Sequence, residues 1–281
     1  MENWEKAEVI RVIFLFSTEI FKKEEEVMKK MALIVTFLIL FMAGNITYAG
    51  QFGPPEPVAK EGKISLGLGY SYYSAKWKPK DTENWDKAKV TQNQAFIRGS
   101  YCFIKNWEAY LGIGGADIKV NDAFDFNSSE DFKDSLKPFG TIGVKGVFNI
   151  TPELGVGPFF QASLLFSDYK DEKTGTVFGI PVSATLKYKN PWDINLGVGF
   201  QCKLENVILY AGPFAYWTRA KVEAEATALG ITLTDSTTYK EKNNVGGFAG
   251  LRLPLGKGFN VEVEGQLKSR FSAGGSLVYS F

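Results

Sequence analysis

Glu262 and Glu264, in the stretch NVEVEGQLK, stand two residues apart. In an extended strand that spacing puts both carboxylates on one face, where such a pair could divide general-acid and general-base work. The usual proton carrier at neutral pH is absent, because the sequence contains no histidine. Structural charge on one face of a strand is the better reading of the pair. Asp122, Asp125, Glu130, Asp131 and Asp134 crowd one segment, 121–137, and offer hard oxygen ligands suited to calcium. They lack the spacing of an EF-hand loop and read as a solvated acidic loop. GIGGAD (112–117) has the look of a phosphate-binding glycine loop but lies inside a strand pattern instead of before a helix. GKG (256–258) lacks the Walker spacing and reads as a turn. Cys102 and Cys202 allow at most one disulfide. No cofactor and no metal site is expected.

The wider sequence gives these groups a setting. Lys and Arg number 32 against 31 Asp and Glu, a net charge of +1, which argues against a nucleic-acid partner. Glycine (29 residues) and aromatics (15%) are abundant, as in β-barrels. From Met28 the chain reads MKKMALIVTFLILFMAGNITYAG. Lys29 and Lys30 precede an apolar core, Met31 to Ala43, which is short for a membrane-spanning helix. Thr47 and Ala49 follow as small residues at −3 and −1 of a cleavage site. Residues 28–49 are therefore expected to be a secretory signal peptide, with a mature protein beginning near Gly50. Residues 1–27 stand upstream of a complete signal, either as an early-called start or as a cytoplasmic extension. Residues 50–62, GQFGPPEPVAKEG, form a Pro-rich lead expected to be periplasmic, extended and loosely ordered. Residues 63–281 show no linker and read as one domain.

That domain alternates throughout. Ile64, Leu66, Leu68, Tyr70 and Tyr72 share one face, and Phe271, Ala273, Gly275, Leu277, Tyr279 and Phe281 another. About ten such segments of ~10 residues occur, the length a tilted strand needs to cross a bilayer; eight strands is the alternative. Short connections (105–106, 151–153, 205–206, 254–258) alternate with long polar ones (78–89, 121–137, 168–183, 226–243); only the turn near Ser269–Ser272 breaks this rule. The apolar rows carry no charge. In the segment 207–223, Ile208, Tyr210, Phe214, Tyr216, Ala220 and Val222 form the apolar row, opposite Ala211, Trp217, Arg219, Lys221 and Glu223. The opposite rows hold Arg98, Glu108, Lys145, Lys203, Arg219, Lys221, Glu223, Arg252, Glu262, Glu264 and Lys268. A soluble β-sandwich would also alternate. The signal peptide, the even strand number, the strand length and the aromatic row ends favour instead a closed antiparallel up-and-down transmembrane β-barrel with apolar rows toward lipid. By this parity Cys102 faces the lumen and Cys202 faces lipid, so two free thiols are expected.

The stretch PLGKGFNVEVEGQLKSRFSAGGSLVYSF resembles the last hairpin of small bacterial outer-membrane barrels of the OmpA, OmpX and opacity type. The resemblance implies that Phe281, with Tyr279 two residues earlier, is read by the barrel-assembly machinery of a Gram-negative cell. It covers 63–281 as a pattern and only the end as a motif. OmpA's periplasmic peptidoglycan-binding domain has no counterpart here and is not carried over. Known barrel enzymes (palmitoyl transferase, lipid-A deacylase, omptin and phospholipase families) use a catalytic histidine, so no enzyme is expected. The expectation is an outer-membrane protein with a structural or surface-interaction role. Its lumen is filled by a charge network of Arg98, Glu108, Lys145, Arg219, Arg252, Glu262, Glu264 and Lys268. Its long loops meet lipopolysaccharide, host or other cells. A narrow pore, or an OmpW-like channel for small or hydrophobic solutes, is the alternative.

Overall fold

The structure, a computed structural model, describes residues 51–79, 88–125 and 129–281, without the Asp125 side chain. The expected signal peptide (28–49), the upstream segment 1–27 and Gly50 lie outside the described residues, as do 80–87 and 126–128 of the expected loops. Among the described residues thirteen strands are formed. They are β1 (Ile64–Pro79), β2 (Ala88–Ile104), β3 (Trp107–Asp125), β4 (Ser129–Gly146), β5 (Phe148–Asn149), β6 (Leu154–Leu165), β7 (Tyr169–Val177), β8 (Ile180–Leu204), β9 (Val207–Ala228), β10 (Ile231–Glu241), β11 (Val245–Gly256), β12 (Phe259–Leu267) and β13 (Phe271–Ser280).

Ten of them close a ring in the order β1–β2–β3–β4–β6–β8–β9–β11–β12–β13, and β13 returns to β1. Every neighbour is antiparallel. Leu68 faces Ile97 on one side and Leu277 on the other. Closure pairs the backbone groups that an open sheet would leave bare in hydrocarbon. Outward residues of this ring are apolar and exposed: Leu66, Leu68, Ile97, Leu111, Ile113, Ile142, Leu196, Phe200 and Leu277 among them. Inward, glycines face rings across the ladder. A Cβ on Gly197 would stand 2.6 Å from both the Phe159 ring and Phe214 Cβ, so this position has room only for glycine. A closed up-and-down ring with an apolar exterior is the architecture of an integral outer-membrane-type β-barrel.

The strands run further than a bilayer requires. β8 has 25 residues and β9 has 22; at about 3.3 Å per residue β8 would measure about 80 Å, against an apolar band about 25 Å tall. The surplus builds an upper storey. There β7 pairs with β8, β8 with β9, β9 with β10, and β10 reaches β1 at Trp77↔Glu241. β1 to β4 continue upward beside them. Segments 168–183 and 226–243 are therefore mostly hairpin strand, where long loops were expected, and β3 and β4 occupy most of 121–137. Within this storey the polarity inverts, with the apolar side chains inside and the charges outside. Tyr73, Ala75, Trp77, Val90, Ile118, Val120, Phe132, Tyr169, Tyr188 and Val222 form a buried apolar core. Charges sit outside it. Asp131 lies 2.8 Å from Lys119, whose hydrogen bond holds that carboxyl below the usual carboxylate range. Asp134 lies 3.3 Å from Lys137. These acids are matched to lysines, and among the described residues no group of acidic, His or Cys side chains is arranged to hold a metal ion.

The reading of β9 is corrected along its length, low down by the aromatic box around Phe52 and higher up by this inversion. Tyr210, Phe214, Tyr216, Ala220 and Val222 were expected toward lipid, but all are buried inside the barrel. Leu209, Ala211, Pro213 and Trp217 face outward instead. Higher up, Arg219, Lys221 and Glu223 are also outward, where Glu223 bonds Lys189 at 2.6 Å and Lys221 at 3.0 Å. Charge marks the lumen only within the membrane band; above it, charge marks water. Between β4 and β7 the upper storey has a seam. No backbone ladder joins them among the described residues. Two carboxylates stitch it: Asp171 accepts from Lys133 N–H at 2.8 Å, and Asp134 from Lys170 N–H at 2.7 Å.

Candidate functional site: the lumen and its N-terminal segment

The lumenal side chains come from strands whose opposite face is held by lipid, so their direction follows from strand parity. Glu262 on β12 is the centre, with no exposure to solvent. Its Oε2 lies 3.0 Å from Arg98 Nη2 of β2, and its Oε1 lies 2.6 Å from Arg252 Nη2 of β11. Lys145 of β4 lies 3.3 Å from Glu108 of β3. These five side chains and Glu264 are all at least nine-tenths buried. Buried charges of this kind persist only when paired and hydrogen-bonded.

The structure brings together Arg98, Glu108, Lys145, Arg252, Glu262 and Glu264. Lys268 stands apart from this group. It lies 3.3 Å from Asp193 and sits over the Tyr216 ring at 4.8 Å. Arg219 does not join at all. It is outward, with its guanidinium over the Trp192 ring at 5.6 Å, because β9 runs in the opposite parity to that expected. Near Lys268, Glu241 accepts from Tyr73 Oη (2.6 Å), Ser269 Oγ (2.7 Å) and Thr218 Oγ1 (3.3 Å). Asp193 likewise accepts from Thr218 and from Asn195.

The lead is the main departure from expectation. Gln51 to Pro55 are buried within the lumen, where a loose periplasmic segment was expected. The phenyl ring of Phe52 lies 4.3 Å from that of Phe159, 5.1 Å from Phe214 and 5.4 Å from Phe248. Its backbone is read by the charged wall. Phe52 N–H and Gly53 N–H donate to the two oxygens of Glu264, at 3.1 and 2.9 Å. Arg98 donates to Gln51 O at 3.2 Å, Lys145 to Phe52 O at 2.9 Å, and Arg252 to Glu56 O at 2.8 Å. Gln201 accepts from Glu56 N–H, and Lys203 pairs with the Glu56 carboxylate at 2.7 Å. Gly53 adopts φ +74, and a Cβ there would stand 2.8 Å from Lys145 Nζ.

Sequence reasoning missed Gln51, Phe52, Gly53, Asp193, Gln201 and Glu241. One signal was available, a lone phenylalanine beside glycine in an otherwise polar, Pro-rich segment, since a bulky ring seeks burial. Chemically the site is a set of ion pairs and charge-assisted hydrogen bonds. Glu262 is held by two guanidinium groups, and Glu264 by two backbone amides and Gln266. The two cysteines are free thiols; Cys102 is buried, Cys202 half-buried.

At the far end of the molecule the hairpin β7–β8 turns through Phe178 (φ 51) and Gly179 (φ 80), and β9–β10 through Leu229 (φ 51) and Gly230 (φ 80). Two consecutive positive φ values make a two-residue turn whose first position favours Asn, Asp or Gly and penalises a bulky side chain. Both turns nonetheless carry a large apolar residue there, 96% and 80% exposed. The two hairpins adjoin, since Val182 pairs with Ala228.

No known family model matches the chain, and no curated protein is similar to it in sequence. Solved structures with a similar fold include three bacterial proteins. The translocator domain of the autotransporter NalP from Neisseria meningitidis is 10% identical, with 78% of this chain and 88% of that one covered and a TM-score of 0.44. The outer membrane protease OmpT from Escherichia coli is 11% identical over 78% and 95%, with a TM-score of 0.44. Ail, the attachment invasion locus protein of Yersinia pestis, is 14% identical over 79% and 99%, with a TM-score of 0.26. At these identities and scores the likenesses bear on no residue's role.

Proposed function

We propose that the protein is a non-enzymatic, non-conducting outer-membrane barrel with a structural and surface-interaction role, whose contact point is the paired tips Phe178 and Leu229. The observation that carries this reading is the placement of two large apolar residues, fully outside, at turn positions that disfavour them. Turn chemistry alone would select Asn or Asp there, so a requirement other than folding holds the apolar residues in place. The lumen supports the same reading, since the lead and its charge layer fill it low down and the apolar core fills it higher up. The tips belong to segments 168–183 and 226–243, which stand farthest from the membrane band, where lipopolysaccharide and neighbouring cells are met. A double substitution Phe178→Asn/Leu229→Asn tests this. Barrel yield and heat-modifiable mobility are expected to stay at wild-type level or improve, while adherence of expressing cells to a host-cell monolayer falls to the level of cells lacking the protein. Adherence equal to wild type would overturn the surface-interaction reading.

Biogenesis is part of the proposal. Residues 28–49 direct export and are removed after Ala49, and Tyr279 and Phe281 are the assembly signal. Phe281 N–H donates to Ile64 O at 3.2 Å. The Phe281 ring is outward, 4.8 Å from Tyr279, which is itself 4.8 Å from Phe259. Burial of one interfacial ring contributes about 1–3 kcal/mol, a small part of a barrel held by a closed ladder. Deletion of Phe281 is therefore expected to leave refolding in detergent near normal while periplasmic precursor accumulates in cells. Membrane insertion at the wild-type rate would show that Phe281 is only another lipid-facing side chain. N-terminal sequencing of the inserted wild-type protein should begin at Gly50.

A further inference from the structure

The lumen wall holds the lead as a receptor holds a peptide, and we propose that it is a preformed binding site for an extended, Pro-rich peptide, with Gln51–Pro57 as its tethered occupant. This goes beyond the surface role above and stands independently of it.

Recognition is of backbone, residue by residue. Glu264 takes the N–H groups of Phe52 and Gly53, while Arg98, Lys145 and Arg252 take the carbonyls of Gln51, Phe52 and Glu56. Cations meet every bonded carbonyl, and the carboxylate meets two amides. Beside the Glu56 carboxylate, which Lys203 and Gln201 hold, specificity comes from two positions. Phe52 fills the aromatic box of Phe159, Phe214 and Phe248, and Gly53 passes where any Cβ would press on Lys145 Nζ. Pro54, Pro55 and Pro57 have no N–H to donate, so the segment cannot add to the sheet as a strand. Their fixed φ also lowers the entropy lost when the segment is seated.

The wall is organised without the occupant. Glu262 is braced between Arg98 and Arg252, and Lys145 lies against Glu108. Glu264 differs. It has no cation within salt-bridge distance among the described residues, its Oε1 accepts from Gln266 Nε2 at 2.8 Å, and both oxygens aim at lead amides. A fully buried carboxylate so directed takes one hydrogen bond from Gln266 in the wall and two from the peptide. The tether to β1, Lys60 to Lys63, is exposed, so the occupant is joined to the barrel through an accessible link.

The test keeps the full chain through folding. A site-specific protease sequence is placed between Lys60 and Lys63, the barrel is folded with its lead in place, and the link is then cut. A fluorescent peptide of residues 51–60 is added. Saturable binding is expected as the cut lead exchanges, at least about tenfold weaker for a Phe52→Ala peptide and undetectable for Gly53→Val. Absence of saturable uptake, or equal binding by the Phe52→Ala peptide, overturns the proposal. A second variant reads location. A Cβ at Gly199 would lie 2.8 Å from Pro55 Cγ, so Pro55→Cys/Gly199→Cys can lock the lead in place. The cut, oxidised variant should refuse the peptide and accept it after reduction. Uptake regardless of the lock would place the peptide elsewhere and sink the proposal.

Discussion

Replacing Glu262 by leucine is expected to destabilise the barrel by about 3–5 kcal/mol, the cost of breaking a buried ion pair from one side. The residue has no solvent exposure and holds two guanidinium groups, at 2.6 and 3.0 Å. Without it Arg98 and Arg252 remain as buried cations with lead carbonyls as partners, and carbonyl dipoles offset only part of a full charge. Leucine offers neither guanidinium an acceptor. Glu262→Gln keeps the shape and one acceptor oxygen and should cost less. Urea unfolding in liposomes measures both. A loss below about 1 kcal/mol for the leucine variant would mean that water reaches these arginines, which contradicts a filled lumen.

The second large effect tests where the membrane lies. Leu196→Arg on β8 is expected to cost about 2–4 kcal/mol, the penalty for a cation on the lipid face near the midplane. Leu196 is outward and 51% exposed, between Phe160 of β6 and Ala215 of β9. Leu233→Arg on β10 is the control. Leu233 is more exposed, at 71%, yet lies on the upper hairpin. If that storey stands in water, its cost should fall within about ±0.5 kcal/mol. Equal penalties would place the β9–β10 hairpin in lipid, and small penalties for both would remove the membrane band from β8.

Alternation, together with strand length, strand number and aromatic row ends, determined the class of fold. Period-two rows such as Ile64 to Tyr72 and Phe271 to Phe281 read as strands, and charge-free rows of bilayer length, with the even strand number and aromatic row ends, favoured a closed barrel over a soluble sandwich, because hydrocarbon leaves no other partner for backbone groups. The ring does contain ten strands, and the short turns at 105–106 and 205–206 join their ends as the spacing implied. Parity also placed Arg98, Glu108, Lys145, Arg252, Glu262 and Glu264 on inward faces, since one face of each strand is occupied by lipid.

Tertiary structure decided what lies on either side of each face. β9 is apolar on both rows in the membrane, so local pattern could not choose between Tyr210 and Leu209; the aromatic box around Phe52 chose. Arg219 was misplaced because the meaning of charge reverses at the membrane boundary, and where a 22-residue strand crosses that boundary is a property of the whole barrel and not of any window of sequence. The lead was unreadable for a related reason. Gln51 to Glu56 have no period, and their partners on β2, β4, β8, β11 and β12 are 47 to 212 residues away. A segment whose hydrogen bonds all go to side chains of other strands carries no repeating signal of its own. Only closure of the ring gathers Arg98, Lys145, Arg252 and Glu264 around one axis and so creates the place where that segment fits.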